Sequence, residues 1–275
     1  HFVGAKPVLV ECRKDRLMDP DDVRKKISKK TRCLMPTQLN GRTCNMDEIQ
    51  AICREDDLIL IEDSAQALGS KWKGKCAGIF GFAGSISFYP AKVLGSFGDG
   101  GLLFTQNDKT AETLRELRDH GRNRDGLVVR WGLNSRLDNL QAAILSVKLK
   151  VFPQEIERRR AIARIYHKRL QELEDLTLPP GPDEDPDHFD IYQNYEIESG
   201  SREKLREHLK LKEIGTIIQW AGKAVHQFKG LGFDGVRLPY TEGFMERCFL
   251  LPMNTSLTDE EVDYICDCIL GFYRK

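Results

Sequence analysis

Short apolar runs alternate with amphipathic stretches from the start of the chain to about residue 105. Val8–Val10 reads as a strand, and Asp19–Lys29 as a helix opened by Asp19 with Pro20 in its first turn. Cys33–Pro36 is again strand-like. Met46–Arg54 carries Met46, Ile49, Ile52 and Cys53 at helical spacing, with Asn45 as its cap. Leu58–Ile61 is a continuous apolar run of strand length, a pattern that predicts burial on both faces. Ser85–Tyr89 and Leu102–Thr105 read as two further strands. Strands alternating with short helices predict βαβ units and a largely parallel sheet.

Beyond Asp108 the pattern changes. Lys109–His120 is an amphipathic helix, followed by the Gly- and Arg-rich loop HGRNRDG at 120–126. Leu137 to Leu173 reads as one long helical region broken near Pro153. The stretch PPGPDEDPD at 179–187 is the clearest linker signal in the chain. After it, Ile191–Ile197 and Thr216–Trp220 read as strands around a helix at Arg202–Ile214. A last helix starts near Asp259, capped by Thr258 with carboxylates in its first turn. The expectation is an α/β domain over residues 1–150 and a smaller α+β domain over 151–275.

Composition narrows the function classes. The 275 residues include 42 basic and 42 acidic side chains, 40% hydrophobic and 31% charged residues, the balance of a globular protein. No apolar run approaches the ~20 residues that span a bilayer, so no membrane partner is expected. Zero net charge argues against a nucleic-acid partner, whose footprint is normally basic. Eight cysteines show no C-x-x-C pair and no histidine at zinc-finger spacing, so reduced thiols, a cytoplasmic protein and no metal site are expected.

Candidate chemistry concentrates between residues 60 and 101. IEDSAQALGS (61–70) ends a strand with adjacent carboxylates, and only one of Glu62 and Asp63 can face the crevice at the strand's C-terminal end. SISFYPAK (85–92) sets Lys92 just past a strand, beside Phe88 and Tyr89. Desolvation there lowers an ammonium pKa and frees the amine for Schiff-base chemistry. Taken singly, any one of so many basic residues is a solvated surface group. GSFGDGG (95–101) follows at once, a flexible turn that lets backbone approach a phosphate. It is neither a Walker A loop nor G-x-G-x-x-G, so a nicotinamide enzyme is a weak alternative.

The run EDSAQALGSKWKGKCAGIFGFAGSISFYPAKVLGSFGDGG (62–101) resembles the core of the DegT/StrS-type nucleotide-sugar aminotransferases. TRCLMPTQLNGRTCNMDEI (31–49), GLNSRLDNLQAAIL (132–145), QNYEI (193–197), KAVHQF (223–228) and LLPMNTSLTDEEVDYI (250–265) are similar to further family segments in the same order. The resemblance implies a type I pyridoxal-phosphate transferase fold, aspartate aminotransferase-like, and pyridoxal 5'-phosphate as cofactor. It implies that Lys92 forms the internal aldimine and carries the proton, and that Asp63 pairs with the pyridinium nitrogen. Gln66 would bond near the phenolic oxygen and Ser87 the phosphate. Asn134 would reach the phosphate in the neighbouring subunit of a homodimer, and His226 would lie near the nucleotide sugar. Read alone, Ser87 is an ordinary strand serine and Asn134 a helix cap. His120 and the arginines of 122–130 read either as a substrate-phosphate patch or as a solvated loop.

The resemblance further implies amino transfer from glutamate to a nucleotide-linked keto-sugar, in the making of surface polysaccharide or antibiotic sugars. A lysine at position 92 argues against the dehydratase branch, which has a histidine there. Family members carry roughly 70–80 residues ahead of the segment matching Phe2–Glu11, among them a Gly-Thr/Ser turn at a helix N-terminus that holds the cofactor phosphate. The chain begins at His1 and shows no counterpart. The expectation is part of a longer protein, with an inactive or regulatory member of the fold as the alternative to an enzyme.

Overall fold

Capping side chains start the first two helices where the sequence places them. The computed structural model describes residues 1–274. Asp19 accepts from the Asp21 amide at the head of α1 (Pro20–Lys26), which stops short of the predicted Lys29. After β1 (Cys33–Leu34), Asn45 accepts from the Glu48 amide at the head of α2 (Met46–Glu55). Then come β2 (Ile59–Asp63), β3 (Lys71–Trp72) and β4 (Lys75–Cys76), which form a small antiparallel sheet with residues 188–189, β5 (Ala83–Ser87) and β6 (Gly101–Phe104). The main sheet has the order β1-β2-β5-β6, parallel throughout except for antiparallel β6.

Helix α3 (Asp108–Arg118) leads to α4 (Asn139–Leu149) and α5 (Phe152–Leu170). The predicted long helix thus breaks at Lys150–Val151, with Pro153 in the first turn of α5, where a missing amide costs no hydrogen bond. The second half holds β7 (Leu176–Thr177), β8 (His188–Phe189), β9 (Tyr195–Ser199), α6 (Arg202–Leu211), α7 (Pro239–Arg247), β10 (Cys248–Leu251) and α8 (Asp259–Tyr273). An antiparallel sheet β10-β9-β7 packs against α5, α6 and α8 around Tyr166, Tyr195, Phe249 and Ile265. Thr258 and Glu261 form a reciprocal cap at the start of α8.

Four strand readings change. Val8–Val10 joins no ladder; the nearest pairing is the isolated bridge Cys12–Met18. Ile191–Asn194 precedes β9 and is tied by side chains instead of a ladder. In Thr216–Trp220 only Ile217 pairs, with Leu250, because Trp220 and Ala221 turn into left-handed backbone at φ 48° and 55°. The Leu58–Ile61 run is covered on one face only: Leu60 packs under α1 and α2, while Ile59 on the opposite face is 50% exposed.

The pleat of β2 separates the two adjacent carboxylates. Glu62 points inward and is fully buried. It accepts from the amides of Gly78 (2.8 Å), Phe80 (2.6 Å) and Gly81 (3.0 Å) and from Gln38 Nε2 (3.1 Å). Gly84, on the same face, lets the 78–81 loop close down, since a Cβ there would lie 2.2 Å from the Gly78 carbonyl oxygen. Asp63 points to the opposite, more open face. Deleting an acceptor that serves several buried donors costs more than any one hydrogen bond. Glu62→Ala is expected to lower unfolding stability by about 3 kcal/mol or more, and Asp63→Ala by less than about 1 kcal/mol, in urea titrations.

Candidate active site

Parallel pairing of β2 with β5 brings the candidate residues together. Asp63 lies opposite Ser85, and Ser87 follows two residues along β5, on the same open face and at the same C-terminal end of the sheet. The chain leaves β5 through Phe88 and turns at 89–92, where the Lys92 amide donates to the Tyr89 carbonyl at 2.9 Å. That turn returns Lys92 toward Asp63. Its pKa is lowered because burial disfavours the ammonium, and the Asp63 carboxylate opposes the shift. Lys73 shows the contrary case: its exposed ammonium bonds Asp47 at 2.6 Å, and its pKa is raised.

The neighbouring side chains are anchored by short-range hydrogen bonds. Gln66 Oε1 accepts the Asn40 amide at 2.8 Å, which fixes the carboxamide and turns its Nε2 donors away from that bond. Ser87 Oγ accepts the Tyr89 amide at 3.2 Å, so its own proton is available. Asp63 Oδ1 accepts the Ala65 amide at 3.2 Å. The Gly-rich turn folds back on α4 through Phe97 N–H to Gln141 Oε1 (2.8 Å) and Lys148 to the Gly95 carbonyl.

Two candidates lie elsewhere. Asn134 is exposed, bridges Asp119 in a short ladder and accepts Arg136 Nε at 3.1 Å. None of its hydrogen bonds reaches Lys92. His226 is buried in a short turn, with Nε2 2.9 Å from Glu242 Oε1. That bond, with the Leu238 amide and Arg237, holds the Glu242 carboxyl at about 2. These partners belong to α7 and the turn before it, not to the β2–β5 crevice. Arg122, Arg124 and Arg130 face Asp119, Glu112 and Glu116, which makes 120–130 a charge-paired loop against α3.

A lysine depressed by burial, set against a carboxylate at the C-terminal edge of a parallel sheet, is the arrangement the family resemblance requires. A profile of the DegT/DnrJ/EryC1/StrS aminotransferase family matches residues 1–270. The chain belongs to this family.

Among its relatives is a "Pleiotropic regulatory protein" of Geobacillus stearothermophilus, 37% identical over 98% of this chain and 73% of that protein. A dTDP-3-amino-3,4,6-trideoxy-alpha-D-glucose transaminase of Micromonospora megalomicea subsp. nigra is 35% identical over 97% and 73%. Streptomyces DesV (S. venezuelae), solved in complex with a ketimine intermediate, superposes with a TM-score of 0.93 at 32% identity, over 99% of this chain and 73% of that one. The fold is therefore that of the family's pyridoxal-phosphate-dependent aminotransferases, a mixed α/β fold with a parallel-containing sheet.

The donor set of this structure fits that cofactor. Asp63 offers an anion for a ring nitrogen, Gln66 Nε2 a donor for a phenolic oxygen, Ser87 a hydroxyl for a phosphate, and Lys92 an amine for an aldehyde. No helix among the described residues is long and apolar enough to cross a membrane. All eight cysteines are free thiols.

Sequence reasoning missed the inward role of Glu62 and the parts played by Asn40 and Gln193, discussed below. The QNYEI resemblance marked the right segment without indicating what it touches. The lowered pKa of Lys92 has a direct consequence for its reactivity. In acetic anhydride labelling against pH, the Lys92 midpoint should fall below that of exposed lysines. Asp63→Asn should lower it further, because the anion that favours the ammonium is gone.

Proposed function

We propose that this protein is a pyridoxal-phosphate-dependent aminotransferase that moves the amino group of glutamate to a keto-sugar nucleotide, giving an amino-sugar nucleotide and 2-oxoglutarate. The observation that carries the reading is Lys92: a half-buried amine of lowered pKa beside Asp63. The transaminase named among the relatives supports the substrate class. When bound, the cofactor supplies an aldehyde that condenses with amines and a ring that accepts electrons.

The residues have separate tasks. Lys92 Nζ would hold the cofactor through its aldehyde and, when free, would accept and return a proton at the reacting centre. A depressed pKa suits that task, since Nζ must be neutral to accept a proton near neutral pH. Asp63 would hold the ring nitrogen through its carboxylate. Gln66 would orient the ring through its phenolic oxygen, and Ser87 would hold the phosphate. His226, fixed by Glu242, would meet the sugar nucleotide.

A homodimer with shared sites completes the reading. Asn134 stands on an exposed loop with Trp131 (97% exposed) and Leu133, and neighbouring Leu140 is also exposed. Such an apolar stretch suits contact with a second copy, whose phosphate Asn134 would reach. The division into a large cofactor domain over 1–150 and a small domain over 151–275 is supported by the separate hydrophobic clusters under the main sheet and the β10-β9-β7 sheet, although β8 crosses back to pair with β3.

The second reading, a non-catalytic regulatory member, is favoured by the name of the Geobacillus relative. One experiment separates them. The protein from its full reading frame should give a visible absorbance band with pyridoxal phosphate and turn over keto-sugar nucleotides with glutamate. Lys92→Ala should abolish the band and reduce turnover by about a thousandfold or more. A wild-type protein with neither band nor turnover across a panel of keto-sugar nucleotides would favour the regulatory reading.

A further inference from the structure

The side chain of Gln193 grips the backbone on both sides of Lys92. Its Nε2 donates to the Ala91 carbonyl at 2.8 Å, and its Oε1 accepts the Val93 amide at 2.9 Å. A carboxamide is the side chain that offers a donor and an acceptor in one plane, so the two peptide groups flanking a single residue are read as a neighbouring strand would read them. Gln193 is buried, and these bonds cross from the segment ahead of β9 to the turn after β5.

The same segment reaches the other side of the crevice. Asn194 Nδ2 donates to Asn40 Oδ1 at 2.7 Å, and the Asn40 amide donates to Gln66 Oε1. Asn40 Nδ2 also donates to buried Glu196 at 2.7 Å. Asn40 sits in left-handed backbone at φ 55°, a conformation retained only where surrounding bonds over-determine it. Gly41 makes the approach possible: a Cβ there would lie 2.7 Å from the Gln193 backbone nitrogen. From behind, Arg159 Nη1 donates to the carbonyls of Tyr192 and Gln193 at 3.1 and 3.2 Å.

We propose that Gln193 is a positioning residue for Lys92, and that residues 193–196 act as a strap setting the Lys92 amine against Gln66 across the crevice. The inference rests on the reading of Lys92 as the cofactor lysine. Holding both flanking peptides keeps the Lys92 side chain directed into the half-buried site beside Asp63. Releasing them lets the ammonium swing to water, where its charge is better solvated.

The test uses the protein from its full reading frame and two variants. Gln193→Met keeps the volume and loses both bonds; Gln193→Asn keeps the chemistry one methylene short. Amide-resolved hydrogen exchange on the cofactor-free protein should show Val93 exchanging about tenfold faster in Gln193→Met, with α8 unchanged. The pH midpoint for borohydride trapping of pyridoxal phosphate on Lys92 should move up by about half a unit or more, and less in Gln193→Asn. Faster Val93 exchange with an unmoved midpoint would make Gln193 a structural tie and overturn the positioning role. Unchanged Val93 exchange would overturn the contact itself. Trapping that persists undiminished in Lys92→Ala would instead refute the assignment of Lys92, which the exchange measurement does not depend on.

Discussion

The pleat of β2 at Glu62–Asp63 is the constraint on which the site depends. Two carboxylates in succession cannot share a face of an extended strand. One is therefore consumed by the fold and the other left for chemistry. Glu62 gathers the amides of the 78–81 loop, and that loop fixes the entry into β5. With β5 fixed in parallel register, Ser87 and the turn to Lys92 arrive on the face that carries Asp63. A single-residue slip of β2 would bury Asp63 and expose Glu62, and the crevice would lose its anion along with its floor.

Burial and charge then work against each other at Lys92. Partial desolvation favours the neutral amine, while Asp63 favours the ammonium, and burial is the larger effect. The balance leaves an amine that is easier to deprotonate than a surface lysine yet still beside an anion able to hold a protonated ring. A fully buried lysine would lack access to substrate, and a fully exposed one would keep its proton. Half-burial needs the backbone of Lys92 to be held from outside its own turn, which is where the segment ahead of β9 enters. It ties the second half of the chain to the first through the side-chain amides of Gln193 and Asn194, beside the pairing of β8 with β3.

The exposed apolar stretch around Trp131 stands apart from this network. It includes Asn134, whose side chain accepts from Arg136 Nε two residues on. A residue assigned by family resemblance but placed away from the crevice of its own chain is what a site shared between two copies requires. His226 differs: Glu242 takes its Nε2, and its Nδ1 is buried without a hydrogen-bond partner.

Helices were legible in the sequence because their signals are local. Asn45, Asp19 and Thr258 cap where their types and spacing predict, and Pro153 opens a helix for a reason contained in one residue. The motif from Glu62 to Gly101 was legible too, since Asp63, Ser87 and Lys92 lie within one parallel crossover. Strands at Val8–Val10 and Thr216–Trp220 were not, because a strand exists only if a partner pairs with it. Nor could an apolar run such as Leu58–Ile61 reveal that one of its faces would remain uncovered. The sequence by itself determined the family, the order of the elements and which lysine is the candidate for Schiff-base chemistry. Only the tertiary structure decided which carboxylate faces the crevice and which distant amide holds Lys92 in place, because pleat and long-range hydrogen bonding follow from spatial neighbours.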